Sequence, residues 1–273
     1  MKDLAKRIMV AIFGIPIITI LVFLGGWYFF FVILLISTVA QLEFYDIQKK
    51  MDLKPQQING LITGLLLLLG IQTGRWLIFS SAFLFMLMMI FASEMIRHRQ
   101  NAVSNIGTTL VGIIYIPFFL GTLLYTKLYV DQTLVAVTYA GFKFIMILIV
   151  TIWICDTFAY AIGILFGKHK LYEKVSPNKT IEGALAGLFS AIGTVILIKV
   201  NNLLPLDYLE AIIFGLIIGF LGQVGDLVES WFKRDAGVKD SSSLLPGHGG
   251  MLDRFDSLIF LSPSMLIFAY IFF

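Results

Sequence analysis

A chain of 273 residues with 59% hydrophobic and 14% charged side chains and a mean hydropathy of +0.92 carries more apolar surface than one water-soluble core can hide. That excludes a soluble globular domain and predicts an all-α, polytopic integral membrane protein. A net charge of +3 gives no reason to expect a nucleic-acid partner, and a single cysteine, Cys155, excludes an intramolecular disulfide framework and a thiol-based metal site.

The predicted elements follow in chain order. Lys2, Lys6 and Arg7 precede an apolar run over 8–24 with no small-residue cleavage site after it, so it is expected to stay as a first helix rather than leave as a signal peptide. Gly25 and Gly26 make a turn into a second span, 27–41. A polar segment with Lys49, Lys50, Lys54 and the helix-stopping Pro55 leads to a third, 58–71. The fourth and fifth cover 76–96 and 103–125, with Arg97, His98 and Arg99 between them. The sixth, 142–166, is followed by a polar loop, 167–182, and the seventh, 183–200, by a turn broken at Pro205. The eighth covers 208–227 and the ninth 257–273, with the charged stretch Ser230–Asp256 between them. A span needs roughly 20 residues to cross about 30 Å of hydrocarbon.

Charge placement predicts the orientation. With the N-terminus cytoplasmic, sixteen of the twenty lysines and arginines fall inside, leaving only Arg75, Lys127, Lys143 and Lys199 outside. By role the chain divides at 140/141: residues 1–140 as supporting membrane helices, and 141–273 as a catalytic region with cytoplasmic loops 167–183 and 228–256. Cys155, inside an apolar run, is expected to be a buried and inert thiol. Glu94, near a helix end, is expected to snorkel and has no assigned role.

Three polar clusters carry chemistry. In 167–183, Ser176, Asn178, Lys179 and Thr180 lead into a helix start, which suits a phosphate; a positive-inside loop ending in a helix cap explains the same residues. Asp156 sits within the sixth span, where an ionised carboxylate costs several kcal/mol unless paired or hydrated; Thr157 and Tyr160 extend it into a polar stripe. Asp226 lies near the end of the eighth span, and Asp253 and Asp256 are spaced to share one helical face. Three carboxylates beside lysines suit a hard divalent cation such as Mg²⁺, although an Asp-x-x-Asp at a helix start also serves as ordinary capping. Zinc does not suit a site without thiols.

Taken together, Ser230, Lys233, Arg234, Lys239, Asp240, His248, Gly249, Gly250, Asp253, Arg254 and Asp256 carry a long signature. It resembles, without departure, the C-terminal signature of the phosphatidate cytidylyltransferase family (CDP-diacylglycerol synthases). The segment from Ser176 to Gly183 and the surroundings of Asp156 resemble that family too, so the likeness covers about 150–260. It implies that CTP and phosphatidic acid give CDP-diacylglycerol and pyrophosphate with Mg²⁺, the identity of any second cation being open. Asp226, Asp253 and Lys239 would be catalytic, with Asp226, Asp253 and Asp256 on the metal. Ser176, Asn178, Lys179, Thr180, Lys239 and His248 would meet CTP, and Lys233, Arg234 and Arg254 either phosphate. Asp156 would line the floor of a pocket open to cytosol and lipid. A homodimer in the cell inner membrane is implied as well. A CTP-dependent polyprenol or phytol kinase, a transporter or channel, and a membrane scaffold are the alternatives; the last two leave the charged stretch unexplained.

Overall fold

In hydrocarbon a backbone must satisfy its own hydrogen bonds, so apolar runs separated by Gly, Pro and charge fold as helices. The computed structural model describes residues 2–242 and 249–273, with side chains from Ile12 onward except Phe13. Its helices are α1 Lys2–Leu24, α2 Gly26–Lys49, α3 Gln57–Thr73, α4 Trp76–Arg97, α5 Ala102–Ile113, α6 Phe119–Thr133, α7 Ala140–Phe166, α8 Ile181–Val200, α9 Tyr208–Asp235 and α10 Leu252–Phe272. A short antiparallel hairpin, β1 Lys170–Tyr172 and β2 Ser176–Thr180, precedes α8. Among the described residues seven helical stretches are long and apolar enough to cross a membrane, α5 to α6 counting as one of 32 residues; α3, at 17 residues, is shorter. Each of the nine predicted spans falls on a helical stretch.

Three differences from the expected elements have physical causes. The stretch expected as one helix over 103–125 contains a π-helical turn, Ile114–Phe118, that includes Pro117. Proline has no N–H and crowds the preceding turn, and a widened turn accommodates it. The loop 167–182 folds as the hairpin just described. Finally, α9 continues to Asp235 and α10 begins at Leu252, so Ser230, Lys233, Arg234, Asp253, Arg254 and Asp256 are helical.

By packing, the chain groups differently from the division by role at 140/141. One compact unit is Met1–Tyr125 with Phe232–Phe255; the other is Thr126–Trp231 with Asp256–Phe273. In the first, Phe44 and Tyr115 meet Phe232 edge-on, with centroids 5.6 and 5.5 Å apart. Tyr45 lies against Gly60 and Gly112, where any Cβ would collide with its ring. Its hydroxyl donates to the Thr109 carbonyl at 2.9 Å and accepts from Gln41 at 2.9 Å.

Glu94 belongs to this unit and does not snorkel. It is 2% exposed and accepts from Gln56 Nε2 at 2.9 Å, Asn105 Nδ2 at 2.8 Å and Arg97 at 2.8 Å. It ties the start of α3 to α4 and α5. Removing it strands buried donors, so Glu94→Ala is expected to cost about 2–4 kcal/mol of stability. The melting temperature of the detergent-solubilised protein checks this; an unchanged value would show that the network is dispensable.

In the second unit, small residues let helices approach closely. A Cβ on Gly183 of α8 would lie 2.5 Å from the Ala159 carbonyl of α7, and one on Gly187 would lie 3.0 Å from that of Cys155. On α9, a Cβ on Gly215 would lie 2.5 Å from Ile192 Cα of α8, and one on Gly219 would lie 2.9 Å from Leu188 Cα. Both pairs have the Gly-x-x-x-Gly spacing that suits helix contact in lipid. Phe214 packs between Phe144 and Phe268, at 5.1 and 4.7 Å. Cys155 is 2% exposed and unbonded to another cysteine, as expected of a structural thiol.

Candidate active site

The second unit gathers Asp156, Asp226 and Asp256 from three different helices. Asp226 is brought to α10 by small residues: a Cβ on Gly225 would lie 2.6 Å from Phe260 Cβ, and Ser257 Oγ donates to the Gly222 carbonyl at 2.9 Å. Asp226 and Asp156 both act electrostatically on Asp256, and Asp226 also acts on Asp156. Lys179 faces the same group, with its Nζ 2.7 Å from Asp226 Oδ2, and Ser230 Oγ donates to Asp226 Oδ1 at 3.3 Å. Lys179 thus acts on all three carboxylates.

The hairpin aims that lysine. Glu182, in the first turn of α8, accepts from His169 Nδ1 at 2.6 Å and from the backbone N–H groups of Lys168 and His169 at 3.1 and 3.2 Å. Lys170 Nζ donates to the Pro177 carbonyl at 2.6 Å, across the hairpin. Thr180 is the N-cap of α8, its Oγ1 accepting from Gly183 N at 3.2 Å. Ser176 is half-buried and Asn178 exposed.

The first unit holds a cluster around Asp253. Lys233, 9% exposed, places Nζ 2.7 Å from Asp253 Oδ1. Asp253 Oδ2 accepts from Ser241 N and Oγ, both at 3.0 Å, and from Gly250 N at 2.8 Å. Glu43 of α2 faces the same loop, accepting from Ser241, Ser242, Met251 and Leu252. Gly249 takes φ 81°, and a Cβ there would lie 2.7 Å from Asp253 Oδ2. A Cβ on Gly250 would collide with Ser241 Oγ and lie 2.5 Å from Glu43 Oε2. Gly250→Ala is accordingly expected to destabilise this loop by about 1–3 kcal/mol through overpacking. A lowered melting temperature together with reduced turnover would verify it, and parental values for both would refute it.

Arg234 is exposed and donates to the Val238 carbonyl at 2.9 Å, while Lys239 and Arg254 are exposed. His248, in the Pro-Gly-His-Gly-Gly segment, lies outside the described residues. Glu43 was not anticipated: ending the second span at 41 leaves it in a polar tail. The sequence signal was an acid only two residues beyond an apolar run.

Among the described residues no three His, Cys, Asp or Glu side chains form a ready-made metal site. The donor chemistry of Asp156, Asp226 and Asp256 nevertheless fits a hard divalent cation, since the three carboxyl groups that act on one another offer only oxygen donors.

Carboxylates and ammonium groups brought together by membrane helices are the equipment of an enzyme that handles polyanions. The chain belongs to the Cytidylyltransferase family, which matches it over residues 5–272; it is a membrane nucleotidyltransferase that uses CTP. It is similar to the phosphatidate cytidylyltransferase of Bacillus subtilis (strain 168), being 31% identical over 270 residues and 96% of both chains. It is also similar to the proteins of that name from Staphylococcus saprophyticus, 47% identical over 129 residues, and Staphylococcus epidermidis, 44% over 127. Those two matches cover 46% of this chain and 49% of theirs.

Proposed function

We propose that this chain is a phosphatidate cytidylyltransferase. An oxygen of the phosphatidate phosphate attacks the α-phosphorus of CTP in line. The bond to the bridging oxygen between the α- and β-phosphates breaks, and pyrophosphate leaves with that electron pair. The attacking oxygen is already anionic at neutral pH, so no strong base is required. The barrier is repulsion between two polyanions. The observation that carries this reading is the Lys179–Asp226 pair, at 2.7 Å, within the field of Asp156 and Asp256.

Asp226, Asp253 and Asp256 are assigned to hold Mg²⁺, Asp253 and Asp256 lying three residues apart at the start of α10. When bound, Mg²⁺ would neutralise phosphate charge and orient the reacting groups. Lys179, with Ser176, Asn178 and Thr180, binds nucleotide phosphate, Thr180 also capping α8. Lys233, Arg234, Lys239 and Arg254 neutralise either phosphate, and His248 is assigned to CTP. Asp156 lines the floor beneath the reacting groups. The excess of lysine and arginine in the predicted inner loops supports an N-terminus and active site on the cytoplasmic side of the cell membrane. Residues 1–140 act as support and 141–273 as the catalytic region, and the family resemblance supports a homodimer.

The test is label transfer in detergent micelles with phosphatidate and Mg²⁺. Label from the α-phosphate of CTP is expected in lipid and γ-label in pyrophosphate. Lipid carrying the γ-label instead would establish a CTP-dependent lipid kinase and overturn the proposal.

A further inference from the structure

We infer that Glu43 is a positioning residue for Asp253, acting through Ser241; this rests on the assignment of Asp253 to the metal-holding set. Glu43 is 6% exposed, and both of its oxygens are engaged by neutral donors. Oε2 accepts from Ser241 Oγ at 2.9 Å and Leu252 N at 2.7 Å. Oε1 accepts from Ser242 Oγ at 2.6 Å and Met251 N at 2.9 Å. The two backbone groups belong to the start of α10, where the helix end favours a negative charge. A carboxylate about 200 residues away in the chain thus joins residues 241–242 to 251–252 and fixes the turn of helix that carries Asp253.

Ser241 is the link. Its Oγ lies 2.9 Å from Glu43 Oε2 and 3.0 Å from Asp253 Oδ2, and its N–H donates to Asp253 at 3.0 Å. A hydroxyl has one proton and serves one of these acceptors at a time. When Asp253 turns its oxygens to a cation, the hydroxyl keeps a partner in Glu43. That hydroxyl, at least, is not left unsatisfied when Asp253 is released for binding. A neutral cap at position 43 could close the helix end but would not hold Ser241 in this shared position as strongly, since hydrogen bonds to a charged acceptor are the stronger ones.

The experiment compares the full-length parent, Glu43→Gln and Ser241→Ala in detergent. Mn²⁺ binding without nucleotide is followed by electron paramagnetic resonance, alongside turnover and melting temperature. Residues that orient metal ligands change affinity by 10–100-fold, so Glu43→Gln is expected to weaken Mn²⁺ at least about tenfold and to lower kcat. Ser241→Ala is expected to act in the same direction, about threefold, between no effect and that range. Glu94→Gln, from the buried network of the same unit, is expected to lower the melting temperature with Mn²⁺ affinity unchanged. That separates positioning from mere structural support. If Glu43→Gln does not fold, Ser241→Ala, which leaves Glu43 on α10, decides the question. Parental Mn²⁺ affinity and kcat per folded molecule in the deciding variant would overturn the inference. Normal Mn²⁺ binding by Asp253→Asn would instead remove the site assignment, and this inference with it, whereas absence of α-label transfer by the parent would sink the proposed reaction.

Discussion

Asp226→Asn is expected to lower CTP-dependent turnover on the order of 10³-fold, comparable to losing a principal electrostatic contact in an enzyme site. Asparagine keeps the volume, an acceptor oxygen for Lys179 and an amide NH₂ that can donate to the Ser230 hydroxyl, the two groups that now bond to Asp226 at 2.7 and 3.3 Å. What it removes is the negative charge. The loss should therefore appear in kcat, with the melting temperature close to that of the parent. Asp253→Asn is expected to lower turnover likewise, with a lowered melting temperature as well because it breaks the buried pair with Lys233. Near-parental turnover of Asp226→Asn in the α-label assay would take Asp226 out of the reaction and leave its pairing with Lys179 as a structural bond.

Lys179→Ala is the second large effect, and its signature differs. Its ammonium is the close positive partner of Asp226 and also acts on Asp156 and Asp256. Deleting it removes a contact to the nucleotide phosphates and leaves three carboxylates less neutralised. The apparent KM for CTP is expected to rise by about 10–100-fold, the loss of one or two charge-assisted hydrogen bonds at 1.5–3 kcal/mol each. Activity should also need less Mg²⁺ for half-saturation, because the lysine no longer competes for Asp226. An unchanged KM for CTP would count against the phosphate role of Lys179. A raised Mg²⁺ requirement would show that the lysine does not compete with the metal.

The sequence showed the outline of this molecule because apolar runs and charge placement are local properties. It also marked Lys179 and Asp226, which the fold brings together although they are far apart in the chain, since acids and lysines beside lipid need partners. Glu43 escaped notice, and Glu94 was expected to snorkel, for one reason. Each looks like a solvated charge near a helix end, and only distant donors, Ser241 and Leu252 for one and Gln56 and Asn105 for the other, make it a buried anchor. The hairpin before α8 was hidden because its strands have no alternating pattern. Its geometry depends instead on the Glu182 carboxylate reaching back to two backbone N–H groups. The π-helical turn at Pro117 likewise needs a neighbour, since the ring packs where Gly64 has no side chain, 3.0 Å from the position of a Cβ.

That hairpin offers a handle for experiment. Glu182 fastens its beginning and Thr180 its end, while Glu173 and Lys174 at the tip are exposed. A spin label or fluorophore at the tip would ride on a loop tethered at both feet, and so would report displacement of the neighbouring lysine rather than its own wandering. Nucleotide arrival could then be timed independently of product formation.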